Sequence, residues 1–173
     1  MTQGKGRRRQ NPVKGLLVGV LAGAVASAAM DQYWAMVEHV PGERPEQQPR
    51  KGGGQQKDEP STQIIADRLA EAVTGKEVPG EAKPAAGVAV HYLTGALQGG
   101  IFGLVAASRP RTGLLAGLLY GAAIWLFLDE ITLRALNIAP DPAQVPKSIH
   151  VEALGAHLVY GSSLALLTRL FLR

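Results

Sequence analysis

The chain has 173 residues, with 18 Lys and Arg against 14 Asp and Glu, 21 Gly, 11 Pro and no Cys. That length is one domain, and the lack of Cys excludes disulfides and thiolate metal sites, leaving His and carboxylate as the available ligands. Mean hydropathy is only just positive at +0.06, because a very polar interval over 41–61 is averaged with four nearly uncharged segments.

Residues 1–12 carry Lys5, Arg7, Arg8 and Arg9 without an acid and read as a basic cytoplasmic tail. A first membrane helix follows over 13–40, striped by Gly15, Gly19 and Gly23 and reaching Asp31 near its end. This opening also fits a cleaved signal peptide, with Ala26, Ser27 and Ala28 as its small residues. The same pattern recurs inside the chain, which favours a retained helix.

Residues 41–61 hold no aliphatic or aromatic side chain and are rich in Pro, Gly and Gln, the composition of a disordered periplasmic linker. Over 62–75, Ile65, Leu69 and Val73 recur at steps of four. A short amphipathic helix is expected, lying on the bilayer or covering the outer mouth of the bundle.

The second membrane helix is expected over 84–108, with Pro84 in its first turn and Gly87, His91, Gly95, Gly99 and Gly103 in steps of four. Each step advances about 40° round a helix, so the row is a slanted ridge. A short basic turn leads to the third helix over 112–136, which carries Gly113, Gly117 and Gly121 and then Asp129 and Glu130. A Pro-rich outer loop over 137–147 precedes the fourth helix over 148–173, with His150 and His157 on one face.

Stretches 15–32 and 113–130 match at Gly15/Gly113, Gly19/Gly117, Gly23/Gly121 and Asp31/Asp129. A second echo pairs His91 and Gly95 with His157 and Gly161. The chain therefore reads as two tandem helical hairpins in the same orientation. The fold class expected is all-α, an integral membrane four-helix bundle. A soluble bundle would have to offset about 1 kcal/mol for each Gly in an exposed helix, whereas small residues let membrane helices approach closely.

Nine basic residues and no acidic ones fall on the side of the termini, and all 14 carboxylates fall on the other. The positive-inside bias places both termini in the cytoplasm of a bacterial inner membrane. Asp31, His91, Asp129, Glu130, His150 and His157 then gather toward the outer surface. Three roles fit such a cluster: a polar clamp between helices, a metal or haem site using His, or a proton relay. No HExxH-type motif marks a metal, and no titratable residue continues a path inward, so the clamp is preferred. Trp34, Tyr33, Tyr92, Trp125 and Tyr160 read as an aromatic belt. The bilayer and a second copy of the chain are the expected partners, and topology accounts for the basic tail without nucleic acid.

The GLLAG opening of helix three at Gly113 to Gly117, the Pro-containing outer loop, and GAHLVYG at Gly155 to Gly161 followed by a basic C-terminus resemble the YagU-like family of small bacterial inner-membrane proteins. The resemblance implies a four-helix inner-membrane protein with a contribution to tolerance of low external pH, and it supplies no catalytic residues. The functional expectation is a non-enzymatic membrane protein supporting envelope or acid-stress tolerance. The alternatives are a small oligomeric conduit for ions, protons or solutes, and a His-ligated cofactor protein.

Overall fold

The computed structural model describes residues 11–39, 59–109, 112–139, 141, 143 and 145–172. Residues 1–10 of the expected tail, 41–58 of the expected linker, 110–111 of the basic turn and parts of the Pro-rich loop lie outside the described residues, while Pro12 and Ser61, expected in the tail and the linker, open the first two helices. Helix α1 (Pro12–Glu38) starts where Asn11 accepts the Val13 N–H at 2.9 Å and Pro12 takes the first helical position. Helix α2 (Ser61–Thr74) stops at Gly75, whose φ of 71° is the left-handed conformation that favours glycine. One 3₁₀ turn (Gly80–Ala82) then leads into α3 (Lys83–Ser108).

The third long segment is not one regular helix. It runs as α4 (Leu114–Ile124), then as a π-helical stretch (Trp125–Thr132), then as the single turn α5 (Leu133–Ala135). The wider turns carry backbone bonds such as Leu133 N–H to the Leu128 carbonyl, and the Thr132 hydroxyl also donates to the Phe127 carbonyl at 2.6 Å. The segment ends in a Schellman motif. Asn137 stands at φ 53°, its N–H reaching the Arg134 carbonyl at 2.9 Å, and the Ile138 N–H reaches the Leu133 carbonyl at 2.8 Å. Helix α6 (Lys147–Phe171) completes the chain.

All described secondary structure is helical, and four helical segments are long and apolar enough to cross a membrane. Their outward faces carry large apolar side chains, including Leu17, Leu21, Leu97, Ile101, Leu119 and Leu166. Apolar surface on that scale is costly in water and is what lipid requires, which fits a multi-pass membrane protein.

Packing runs in the order α3, α1, α6, α4, with α1 and α6 as the inner pair. Between α1 and α3 the backbones touch. Gly15, Gly19 and Gly23 face Gly103, Gly99 and Gly95 in antiparallel register, and a Cβ added to Gly19 would collide with the Gly99 carbonyl. Between α4 and α6, Gly117 meets Gly161 and Gly121 meets the His157 carbonyl. Gly161 therefore belongs to the seam although its place there was not anticipated. Gly113 differs from expectation: it is the extended N-cap of α4 and stands outside the helix.

The inner contact mixes small and large side chains, with Ala22, Ala26 and Met30 of α1 and Ala156, Tyr160 and Leu164 of α6 in one buried cluster. Tyr160 is thus no part of an aromatic belt. It is 2% exposed, and its hydroxyl donates to the Gly95 carbonyl at 2.6 Å, so it spans from α6 to α3 through the core.

Candidate functional site

The antiparallel seams bring polar side chains together at the end of the bundle remote from Pro12 and Phe171. On the first hairpin, His91 of α3 lies 3.2 Å from Asp31 of α1 through its Nε2, and the Tyr92 hydroxyl donates to the other Asp31 oxygen at 2.8 Å. The His91 ring is close to the carboxylate but off the line of a hydrogen bond: Nε2 is buried and has no aligned acceptor among the described residues. The two rings His91 and Tyr92 stand edge to face, 5.4 Å apart.

On the second hairpin, His157 of α6 is buried and lies 3.6 Å from Asp129 of the π-helical stretch. Its Nδ1 donates to the Ala153 carbonyl at 2.9 Å. That bond assigns the ring's first proton to Nδ1, so Nε2 is the nitrogen left to face the carboxylate.

Glu130 forms a third, separate group. One oxygen accepts from His150 Nδ1 at 2.7 Å and the other pairs with Arg134, one helical turn on, at 2.8 Å. The six residues expected to cluster make two Asp–His pairs and one Glu–His–Arg group, and all of them but Asp31 line one cavity. Among the described residues no group of three or more His, Asp and Glu converges as a metal-ligand set.

Two more polar features shape this end. Lys83 pairs with Asp67 at 2.6 Å and with Glu59 at 3.0 Å, and the Val78 N–H donates to Asp67 at 3.1 Å. Asp67 is 3% exposed, so the lysine anchors α2 on α3 by neutralising a buried carboxylate. Close packing helps, because a Cβ on Gly87 would press on the Gln63 side chain at 2.8 Å. Arg68, on the same helix, donates to the Leu136 carbonyl at 2.9 Å and so ties α2 across to the end of α5.

Because α3 and α4 stand at opposite ends of the packing order, a cavity of about 940 Å³ lies between them, walled behind by α1 and α6 and crossed above by α2. Its walls are mostly apolar, with His91, Asp129, Glu130, Arg134, His150 and His157 also among its lining. Below it, the Tyr120 hydroxyl joins α4 to α3 through the Gln98 carbonyl and side-chain oxygen, both 2.8 Å away, and the Phe102 and Tyr120 rings pack 5.2 Å apart.

The cavity, the lysine anchor and the π-helical stretch were not read from the sequence. The pairing of Lys83 with Asp67 left only one trace, a lysine just before Pro84 at the start of an apolar helix. No protein-family model, curated protein or solved structure matches this chain, so the YagU-like resemblance rests on the residues that carry it.

Proposed function

We propose that this is a non-enzymatic protein of a bacterial inner membrane, made of two tandem hairpins with both termini cytoplasmic, and that it supports envelope or acid-stress tolerance. One observation carries the reading. Each hairpin carries one Asp–His pair, Asp31–His91 and Asp129–His157, at the end that the charge bias assigns to the outside. Imidazole is the side chain whose charge changes between about pH 5 and 8. Protonating His157 adds an N–H at Nε2, facing Asp129, and turns a bare approach into a charge-assisted hydrogen bond. The groups facing these pairs are Tyr92 at Asp31 and, near Asp129, Glu130 with its Arg134 and His150 partners and His91 of the other pair. Acid outside would thus tighten the end of the second hairpin, where His157 meets Asp129.

The conduit alternative has less support. Beneath the cavity, Phe102, Leu164 and Thr168 are each no more than 3% exposed, and glycine crossings bring the backbones together. The cofactor alternative lacks a converging ligand set among the described residues.

The test is survival of cells lacking this protein, complemented with the wild type or with the His91→Gln/His157→Gln double variant, in acidified and in neutral medium. Wild type should restore survival in acid, and the double variant, present at equal level in the membrane, should not. Equal rescue by both would remove the imidazoles from the function. A fluorescent-protein fusion after Arg173 tests the topology separately: fluorescence supports a cytoplasmic C-terminus, and a dark fusion of full length rejects it.

A further inference from the structure

The cavity between α3 and the π-helical stretch is larger than the packing of the bundle needs. At about 940 Å³ it falls at the upper end of the range for small-molecule sites. Its rear wall is Met30, Ala153 and Tyr160 of α1 and α6, and its sides are Val90 and Thr94 of α3 and Leu128 of the π-helical stretch. Two hydrogen bonds frame its remaining side: Arg68 to the Leu136 carbonyl above, and Tyr120 to Gln98 below. From Gln98 up to Val90 the wall rises about 12 Å at 1.5 Å per residue. No helix fills this frame, because α3 and α4 do not pack along their outer halves. In a membrane-spanning bundle such an opening faces lipid.

Besides Ser27 Oγ and His91 Nε2, which line the cavity without a partner among the described residues, the hydrogen-bonding capacity left over at this opening belongs to guanidinium groups. Glu130 is engaged by His150 and Arg134, and Asp129 faces His157 at 3.6 Å. The guanidinium groups are not used up. Arg134 spends Nη1 on Glu130, while its Nε has no acceptor among the described residues. Arg68, exposed at the upper rim, spends Nη1 on the Leu136 carbonyl, and no second acceptor for it stands among the described residues. A guanidinium offers five N–H donors in a fork that matches phosphate oxygens. An occupant must therefore be apolar over most of its length and carry an acceptor-rich, anionic end. The interval 41–58 is too polar to be that occupant, since it lacks any aliphatic or aromatic side chain.

We propose that the cleft seats one phospholipid of the surrounding bilayer, an acyl chain entering between α3 and the π-helical stretch and the phosphodiester lying against Arg68 and Arg134. The inference rests on the membrane placement proposed above, though not on which side the termini face. Helix α2 acts as the upper rim of the site, held on α3 by Lys83 and Asp67. Tyr160 and the Tyr120–Gln98 bond form the floor on which the chain end rests.

The experiment is native mass spectrometry of the full chain in mild detergent, delipidated and then titrated with phosphatidylglycerol, phosphatidylethanolamine or palmitate. The wild type should retain one equivalent of either phospholipid at concentrations where palmitate leaves no adduct. Ala153→Trp, which fills the rear wall, should lower that occupancy at least tenfold with helical content unchanged. If that variant fails to fold, Thr94→Trp fills the same space from the opposite wall and is read instead. Arg68→Gln should weaken retention several-fold. Retention unchanged in a folded Trp variant, no adduct on the wild type, or palmitate held as tightly as phospholipid would each overturn the assignment. The readout is taken in detergent, so it stands whether or not the complementation and fusion tests succeed.

Discussion

His157 faces Asp129 at 3.6 Å across the second hairpin in the same way that His91 faces Asp31 at 3.2 Å across the first, yet the seams beneath the two pairs are one turn out of step. In the first hairpin Gly23 lies against Gly95, four residues from His91; in the second, Gly121 lies against His157 itself. The π-helical stretch begins between Gly121 and Asp129. Its wider coils turn less per residue than an α-helix and so set the angle at which Asp129 meets the buried imidazole. Deleting Leu126 should return the stretch to α-helix and swing Asp129 by about 100°. A double-mutant cycle between Asp129→Ala and His157→Ala reads this directly: coupling of about 0.5 kcal/mol or more in the parent should vanish in the deletion background. Coupling that survives would mean that the stretch does not set the pair.

The glycine seam gives the largest expected effect. Gly99 has the Gly19 carbonyl and the Gly23 backbone where a Cβ would stand, and backbone cannot move aside as a side chain can. Gly99→Val should cost at least about 2 kcal/mol, within the range for overpacking. Gly80→Ala, with open space around it, should be close to neutral. Unfolding in mixed micelles of increasing denaturing-detergent fraction compares the two, and similar midpoints would refute the contact.

Asn137 separates conformational cost from packing. Its φ of 53° costs a residue with a Cβ roughly 1–2 kcal/mol unless it tolerates the left-handed region. Asn137→Val should destabilise by about that much, and Asn137→Gly should leave stability unchanged or raise it. The same micelle titration checks the pair, and equal effects would show that the Asn137 side chain, and not its backbone, matters.

Lys83 tests the anchoring of α2. Lys83→Met leaves Asp67, 3% exposed, with the Val78 N–H but no cation, and α2 should detach. Lys83→Met combined with Asp67→Leu removes the buried charge as well and should recover much of the docking. Amide hydrogen exchange over Ser61–Thr74 is the measurement: protection lost in the single variant and regained in the double is the expected order. Unchanged protection in the single variant would assign the anchoring to Gly87 and Arg68 instead.

Much of this architecture can be read from residue spacing, and the limits of that reading have physical causes. Gly15, Gly19 and Gly23 mark a seam because only glycine permits backbone contact at each turn, and Asp31 and Asp129 each stand near a His of the neighbouring helix, His91 and His157. Tyr160 was misread because a tyrosine within an apolar helix suits the membrane interface and the core equally well. Its burial depends on the Gly95 carbonyl, which the sequence places 65 positions away. The π-helical stretch, Trp125–Thr132, carries no residue spacing that sets it apart from the α-helix before it. The cavity follows from the packing order α3, α1, α6, α4, which no single helix encodes.

The glycine seam between α1 and α3 also orders assembly in time. Every residue of that seam, from Gly15 to Ala107, precedes α4 in the chain, so a protein made from its N-terminus can close its first hairpin before the second is synthesised. The stripe of Ala22, Ala26 and Met30 stays without its partner until α6 arrives with Ala156, Tyr160 and Leu164. Helix α6 is the last to be made and the one that covers this stripe. A chain cut short before Lys147 would keep an intact first hairpin and present an uncovered inner face, which is the form that membrane quality control would meet.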